Sequence, residues 1–373
     1  MKKFFWFLGI IMISGLIYFL IWGKDKSFLL SPLSNNNDRN KQESSLKTVG
    51  FLPTWMISKT RFYSSELDEL IFSGIEVDKT GNLIWDYQSK KIDNEDFLKQ
   101  KENITKTGGK NILGIKLFKD DELNKLLGDE KALNNLINQV REQVVEKKFD
   151  GVNVDFEYQG DPTAILNQSF LSFLEKLRKV EVGKISVDVF VNTINKGGTE
   201  SLVELIERVD SLIIMAYDFH RPGVDFAGAV APIEAPMGER SILEVVTNIT
   251  NIGLDKNKIV LAFPFYGYEW KTETEEFGSQ IKRGWYQMSS WDRTKKLIEE
   301  KGLEVNWDET SMTPWLVFEE ENEIHQIYYE NKKSMDIKVK LAKDNGFIGV
   351  GFWALGYEGE ENVLVVDDRT GFR

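Results

Sequence analysis

The chain has 373 residues, of which 42% are hydrophobic, and its 47 basic and 59 acidic residues give a net charge of −12. This balance disfavours nucleic acid as a partner, because phosphate binding requires a basic patch and the sequence shows none. The absence of cysteine excludes disulfides, zinc–thiolate sites and cysteine nucleophiles, and two separated histidines disfavour a Ser-His-Asp triad or a multi-histidine metal site.

The N-terminal segment predicts a membrane anchor. Residues 4–22 carry no charge, and a helix rising about 1.5 Å per residue over this length just crosses a bilayer core of about 30 Å. A cleaved secretion signal is the alternative, although the ending YFLIW lacks a small-x-small cleavage site. We therefore expect a single-pass anchor or signal over 1–23, a flexible polar linker over 24–47, and one domain over 48–373. That domain would be extracytoplasmic, at the cell membrane or secreted after cleavage.

From Lys47 onward, short β-rich runs alternate with amphipathic helical patterns such as 133–148, 164–180 and 241–253, which is typical of a parallel α/β fold. Eight strands are predicted, at 48–55, 69–77, 111–118, 150–158, 184–191, 211–219, 258–267 and 346–355. Eight strands with crossovers predict a (β/α)₈ TIM barrel. The interval of about 269–330 is too long for a crossover, so we expect a small α+β insertion there on the catalytic face.

The fourth predicted strand, FDGVNVDFEY, carries acidic side chains on one face. Successive strand residues point to opposite faces, so Asn153, Asp155 and Glu157 lie together and Val152 and Val154 lie opposite. A half-exposed edge strand would explain this alternation. In a sheet covered on both sides, however, a buried unpaired carboxylate costs several kcal/mol, which favours a functional site. Coupled titration would keep Glu157 protonated near neutral pH, as a general acid requires.

The run from Asp150 to Glu157 resembles the DGxDxDxE signature of glycoside hydrolase family 18, the chitinases and their relatives, with Asn153 in place of an Asp. The run Met215-Ala216-Tyr217-Asp218 is similar to the MxYD element of that family, and Phe263 to Gly267 contains its PFYG run. The resemblance implies that Glu157 is the general acid and base. It also implies that Asp155 orients the acetamido N–H of the substrate and that Tyr217 donates its hydroxyl to the acetamido group.

The same resemblance, with strand parity, implies a set of substrate-binding residues. Trp353 would form the floor under the sugar, Tyr266 and Trp270 would form walls, and Trp55 would contact sugar or simply pack. The predicted substrate-binding residues are Asp218, Trp353, Asn153, Tyr266, Trp270 and Trp55. No metal ligand or cofactor is expected, because a metal site built from Asp150, Asn153, Asp155 and Glu157 fails on parity.

The function implied is retaining, substrate-assisted hydrolysis of β-1,4-linked N-acetylglucosamine glycans, either chitin oligosaccharides or peptidoglycan. The expected partners are such glycans and, through the N-terminal helix, the membrane. A non-catalytic carbohydrate-binding lectin on the same barrel is the alternative, although such members typically lack the acid that Glu157 supplies here.

Three departures from the family pattern bear on the substrate. The amide at Asn153 removes a like charge, so we expect Asp155 to ionise more easily; the same variant resembles bacterial members associated with spore cortex, which favours peptidoglycan. The third strand lacks the SxGG element of the family. On the fifth strand, Asp188 is either a further inward acid or salt-bridged.

Overall fold

The computed structural model describes residues 46–61, 63, 65–236 and 239–359. The predicted anchor, and the predicted linker up to residue 45, lie outside these ranges. No helix within them is long and apolar enough to cross a membrane.

Eight parallel strands close into a barrel, which confirms the predicted TIM barrel. The strands are β1 (Lys47–Pro53), β2 (Glu69–Val77), β4 (Lys110–Leu117), β5 (Gly151–Phe156), β6 (Lys184–Phe190), β7 (Ser211–Met215), β8 (Ile259–Pro264) and β14 (Gly349–Trp353). They follow one another around the barrel in this order, and β1 closes it by pairing with both β2 and β14. A short strand, β3 (Leu83–Ile84), lies antiparallel to the end of β2.

Amphipathic helices cover the outside of the barrel. In chain order they are α1 (Glu95–Lys106), α2 (Asp120–Gly128), α3 (Glu130–Glu146), α4 (Gln168–Lys179), α5 (Val191–Lys196), α6 (Thr199–Arg208), α7 (Ile242–Ile252) and α9 (Lys332–Asp344). In α3 the buried positions Leu133, Leu136, Ile137 and Val140 repeat at helical spacing, so they form one apolar face. The side chain of Asp129 begins this helix by accepting the backbone N–H groups of the first turn.

The two faces of β5 have different environments. Phe156 points outward, and its ring centroid lies 6.2 Å from that of Phe170 and 5.9 Å from that of Phe173 on α4. Asn153 points into the barrel, where it is 2% exposed. The predicted strand parity is therefore confirmed, and the acidic face of β5 is the barrel interior.

An antiparallel sheet forms the insertion between β8 and β14. Its strands are β9 (Tyr266–Thr272), β10 (Ile281–Ser290), β11 (Asn306–Asp308), β12 (Thr313–Glu320) and β13 (Glu323–Tyr328), with helix α8 (Trp291–Lys301) after β10. The predicted seventh strand is thus two strands, because the barrel strand ends at Pro264 and the chain resumes in the insertion one residue later. Pro264 has no backbone N–H to donate to a neighbouring strand. The apolar residues continue on both sides of this proline, so the sequence pattern does not show where one strand ends and the next begins.

Candidate active site

A cleft opens where the barrel strands end, and it brings most of the predicted site residues together. It is lined by Asp155 and Glu157 at the end of β5, by Tyr217 and Asp218 after β7, and by Trp55, Tyr266 and Trp353. Asn153 and Trp270 do not line it. This end of the barrel is where the active sites of TIM-barrel enzymes lie.

Asp155 and Glu157 form the acidic centre of the cleft. Burial, then the negative charge of Asp155, raise the pKa of Glu157 to about 9, and burial, then the charge of Asp188, raise the pKa of Asp155 well above its usual range. A hydrogen bond between the two carboxyl groups favours the proton on Glu157. Glu157 is therefore an acid at neutral pH.

Hydrogen bonding around this pair is incomplete. The side-chain amide of Gln159 donates to Glu157 Oε2 over 2.7 Å, whereas the buried atom Asp155 Oδ1 has no hydrogen-bond partner among the described residues. A buried acceptor without a donor is costly unless a ligand completes it. The free oxygen of Asp155 therefore marks a position for a donor on a bound molecule.

Asn153 lies beneath the cleft and connects β5 to β6. Its Nδ2 atom donates to Asp188 Oδ1 over 2.8 Å and to Ser186 Oγ over 3.1 Å. The prediction that Asn153 contacts substrate is wrong, because its side chain is 2% exposed and directed at β6. Asp188 is the further inward acid and forms no salt bridge among the described residues.

The pKa of Asp155 is raised although position 153 carries an amide. Asp188, 3% exposed, places a carboxyl group in this part of the barrel from the neighbouring strand. Burial raises the pKa of Asp188 to about 8, opposed by the hydrogen bond from Asn153 and supported by the charge of Glu157. Asp155 therefore has an acidic neighbour on β6, and the expectation that the amide makes Asp155 ionise more easily stays a prediction.

Tyr217 and Asp218 follow β7 rather than belonging to it, because the strand ends at Met215. Burial and the surrounding carboxylates raise the pKa of Tyr217 well above its usual range, so its hydroxyl remains a donor. Asp218 has a positive φ of 58° and accepts hydrogen bonds from Tyr266 Oη over 2.5 Å and Tyr268 Oη over 3.4 Å. The insertion strand β9 thereby holds Asp218 in an unusual backbone conformation.

Two tryptophans form part of the cleft wall. The rings of Trp55 and Trp353 meet edge to face with centroids 6.3 Å apart, and Phe51 contacts Trp353 from below with centroids 5.8 Å apart. Trp55 is 40% exposed and donates through Nε1 to Tyr357 Oη over 2.9 Å. Its exposed face suits stacking on a sugar, whereas its indole N–H is already satisfied.

Trp270 is not part of the site. It is 1% exposed and packs in the insertion core, with ring centroids 5.6 Å from Tyr268 and 5.9 Å from Tyr328. The prediction that Trp270 forms a sugar-binding wall is therefore corrected. In the sequence Trp270 follows the PFYG run closely. The sequence could not show that the Trp270 side chain points from β9 into the core of the insertion rather than into the cleft.

Three cations in the cleft were not predicted. Lys116, at the end of β4, pairs in register with Asp155, and Arg221 and Arg240 lie between β7 and α7. The one sequence signal for Lys116 is its place on the strand that lacks the SxGG element, and no motif marked the two arginines. These cations line the same cleft as the acids. In the described ranges no group of three or more His, Cys, Asp and Glu side chains is arranged to hold a metal ion.

Comparisons with known proteins agree with this architecture. Residues 47–358 match the family described as Glycosyl hydrolases family 18. The chain is 25% identical over 279 residues to the probable di-N-acetylchitobiase 1 of Dictyostelium discoideum, covering 67% of this chain and 72% of that protein. It is 24% identical over 257 residues to the cortical fragment-lytic enzyme of Bacillus subtilis (strain 168), covering 67% of this chain but 56% of that enzyme.

Solved structures share the fold. The spore cortex-lytic enzyme SleL of Bacillus cereus superposes with a TM-score of 0.70 at 20% identity, covering 88% of this chain and 75% of SleL. A mutant class V chitinase from Nicotiana tobaccum, crystallised in complex with NAG4, superposes with a TM-score of 0.75 at 16% identity, covering 87% of this chain and 98% of the chitinase. The family match spans the barrel, its insertion and the acidic cleft, and this chain belongs to family 18 of the glycosyl hydrolases, a family of glycosidases.

Proposed function

We propose that the protein hydrolyses β-1,4-linked N-acetylglucosamine-containing glycans, with retention of configuration and with the substrate supplying the nucleophile. The observation that carries this proposal is the buried pair of Asp155 and Glu157, in which Glu157 has a pKa of about 9 and Asp155 keeps one unsatisfied oxygen. Most retaining glycosidases use a second carboxylate as nucleophile, and family 18 is among the exceptions.

In the first step Glu157 donates its proton to the glycosidic oxygen. The carbonyl oxygen of the 2-acetamido group attacks the anomeric carbon of its own sugar, the bond to the leaving sugar breaks, and an oxazolinium ion forms. Asp155 Oδ1 accepts the acetamido N–H, and its negative charge stabilises the cation. The Tyr217 hydroxyl donates to the acetamido group and fixes its orientation.

In the second step the ionised Glu157 takes a proton from water, whose oxygen attacks the anomeric carbon as the bond to the acetamido oxygen breaks. Two inversions at this carbon give net retention. Only an N-acetylated sugar supplies the nucleophile, so the mechanism selects the substrate class. The names of two relatives, a chitobiase and a cortical fragment-lytic enzyme, support chitin oligosaccharides and peptidoglycan as the two candidate substrates.

Product analysis tests the proposal. The full chain and its Glu157→Gln variant are incubated separately with chito-oligosaccharides and with purified peptidoglycan, and products are identified by mass spectrometry. Cleavage by the parent alone, with the β-anomer appearing first by NMR, would support the proposal. Appearance of the α-anomer first would refute retention, and binding without cleavage of either glycan would leave a lectin function.

We also propose that catalysis takes place outside the cytoplasm at the cell surface, with residues 1–23 as the anchor. The uncharged run over 4–22 supports this location. Membrane fractionation, with protease digestion of intact cells, tests it. Recovery of the full chain in the membrane fraction together with its cleavage by external protease is expected, and a protease-protected chain would contradict the proposal.

A further inference from the structure

The cleft brings cations together in a protein whose net charge is negative. The chain carries a net charge of −12, yet three cations, Lys116, Arg221 and Arg240, line the cleft around the acidic centre. Clefts focus the field of the charges that line them, so a local excess of one sign selects ligands of the other.

The carboxyl groups of the cleft do not cancel these cations. Burial, aided by neighbouring acids, raises the pKa of Asp155 well above its usual range, that of Glu157 to about 9 and that of Asp188 to about 8. Burial also raises the pKa of Asp218. Two of these four groups, Glu157 and Asp188, are therefore protonated at neutral pH, so ionised carboxylates do not outnumber the three cations.

No cleft cation forms a close ion pair with an acid of the site among the described residues. The charges of Arg221 and Lys116 do oppose the rise in the pKa of Asp218 and Asp155, respectively. Arg240 is positioned by a neutral hydrogen bond from Nη1 to Asn192 Oδ1 over 3.1 Å. Lys116 lies 3.8 Å from Glu76 Oε1, but the Glu76 side chain is 63% exposed, so this contact is weak. Guanidinium groups without carboxylate partners suit carboxylate recognition.

The three cations lie on two sides of Glu157. Lys116 ends β4, the neighbour of β5 on one side, whereas Arg221 and Arg240 lie after β7, beyond the other neighbour β6. A glycan bound across Glu157 would therefore meet positive charge in both directions. Exposed cations are often merely solvated, but convergence on one cleft from two sides distinguishes these three.

We propose that the cleft recognises a carboxylate-bearing N-acetylated glycan, and that Lys116, Arg221 and Arg240 are its specificity-determining residues. This inference rests on the proposed function and narrows its substrate. Because the acetamido group of the cleaved sugar must remain intact for attack, the carboxylate belongs to another position. It is either an ether-linked acid substituent or an oxidised primary carbon of a sugar along the chain.

The experiment compares oligosaccharides of equal length with the full chain. The probes are the neutral chito-oligosaccharide, the same chain with ether-linked lactic acid on alternate sugars, its methyl ester, and a chain with oxidised primary carbons. We expect kcat/KM for at least one carboxylate-bearing chain to exceed that for the neutral chain by about tenfold or more. If the lactyl chain is the preferred one, its methyl ester should be cleaved no faster than the neutral chain. The preference should decrease at high salt. The acid that is preferred identifies the source of the carboxylate.

Variants assign the effect to the cleft. The double variant Arg221→Gln/Arg240→Gln should lose most of the preference, chiefly through KM, and the ratio of kcat/KM for the acidic and neutral chains in the same variant corrects for any general loss of activity. Arg141→Gln removes the same type of charge from an exposed position on α3, outside the cleft, and should keep the preference. Loss of preference in Arg141→Gln as well would overturn the assignment, since it would show a general charge effect.

Binding to the Glu157→Gln variant separates this inference from the proposed function. If the parent cleaves neutral and acidic chains equally, the inference fails and the proposed function stands. If the parent cleaves none of the probes but Glu157→Gln binds an acid about tenfold more tightly than the neutral chain, the hydrolytic proposal fails and carboxylate recognition stands. Equal binding of all probes would overturn the inference whatever the activity.

Discussion

The carboxyl groups at the two ends of the barrel have different partners. At the N-terminal end, Asp68, Asp150 and Asp210 each precede a strand and accept a backbone N–H of the neighbouring strand, from Thr48, Asn111 and Ile185 over 2.7 to 2.8 Å. Glu69 there forms a buried ion pair with Lys184 through Oε1, while its Oε2 has no hydrogen-bond partner among the described residues. At the C-terminal end, Asp155 retains a free oxygen, and no cation forms an ion pair with it among the described residues.

This difference separates stability from catalysis. Carboxylates that are satisfied by backbone donors or cations hold neighbouring strands in register and contribute nothing to chemistry. Buried carboxyl groups that lie close together without an ion-pair partner have raised pKa values, which costs stability but keeps a proton on Glu157 for catalysis. Substitutions at the two ends should therefore have separable effects, and the following predictions test that separation.

The largest effect on activity is expected at Glu157. Glu157→Gln preserves shape but removes the transferable proton, so kcat should fall by about 10²- to 10⁴-fold. The free energy of unfolding should not decrease, because a buried carboxyl group is replaced by a neutral amide. Steady-state kinetics and urea unfolding measure the two quantities. A variant with parental kcat would contradict the assignment of the general acid.

The largest effect on stability is expected at the other end, at Lys184. Lys184→Met leaves Glu69 buried without its cation, so the free energy of unfolding should fall by about 3–5 kcal/mol. kcat/KM below the unfolding transition should be unchanged, because the pair lies far from the cleft. Lys176→Met is the matched control, since its partner Glu130 is exposed and little change is expected. A lower kcat/KM in folded Lys184→Met would contradict the separation of stability from catalysis.

A smaller effect is expected from moving a carboxyl group between strands. Asp188→Asn removes a carboxyl group whose charge raises the pKa of Asp155, so the limb of the kcat/KM profile that reports the ionisation of Asp155 should move to lower pH. Adding Asn153→Asp to this variant returns an acid to β5 and should move the limb back. The pH profiles of the parent and the two variants measure this coupling. Identical profiles would show that Asp188 is only structural.

The smallest effect is the pH dependence of stability at the same residue. The pKa of Asp188 is raised to about 8, so the folded protein retains a proton that the unfolded chain releases above about pH 4. The stabilisation is complete below the unfolded pKa and is lost as the pH rises towards 8. Relative to the parent, Asp188→Asn should therefore gain stability as the pH rises between these two values. Urea unfolding at several pH values checks the slope, and a pH-independent difference would contradict it.

Much of the barrel and its acidic centre was predictable because both depend on local patterns. Strand parity placed Asp155 and Glu157 on one face of the predicted fourth strand, the cost of burying carboxylates marked that face as a functional site, and the eight strands followed from their β-rich runs. What could not be predicted depends on pairing between strands. The hydrogen bond from Asn153 to Asp188 requires the register of β5 and β6, and the burial of Trp270 requires the insertion sheet. The cleft cations come from positions that carry no recognisable motif.

The passage from β8 into β9 has a consequence for engineering. The insertion begins within one residue of the barrel strand, and its first residue, Tyr266, donates to Asp218 in the cleft. The barrel and the insertion are therefore not interchangeable modules. A chimera joined at this boundary would need to keep Tyr266 and Tyr268 with the barrel, or else replace the support of Asp218 together with the graft.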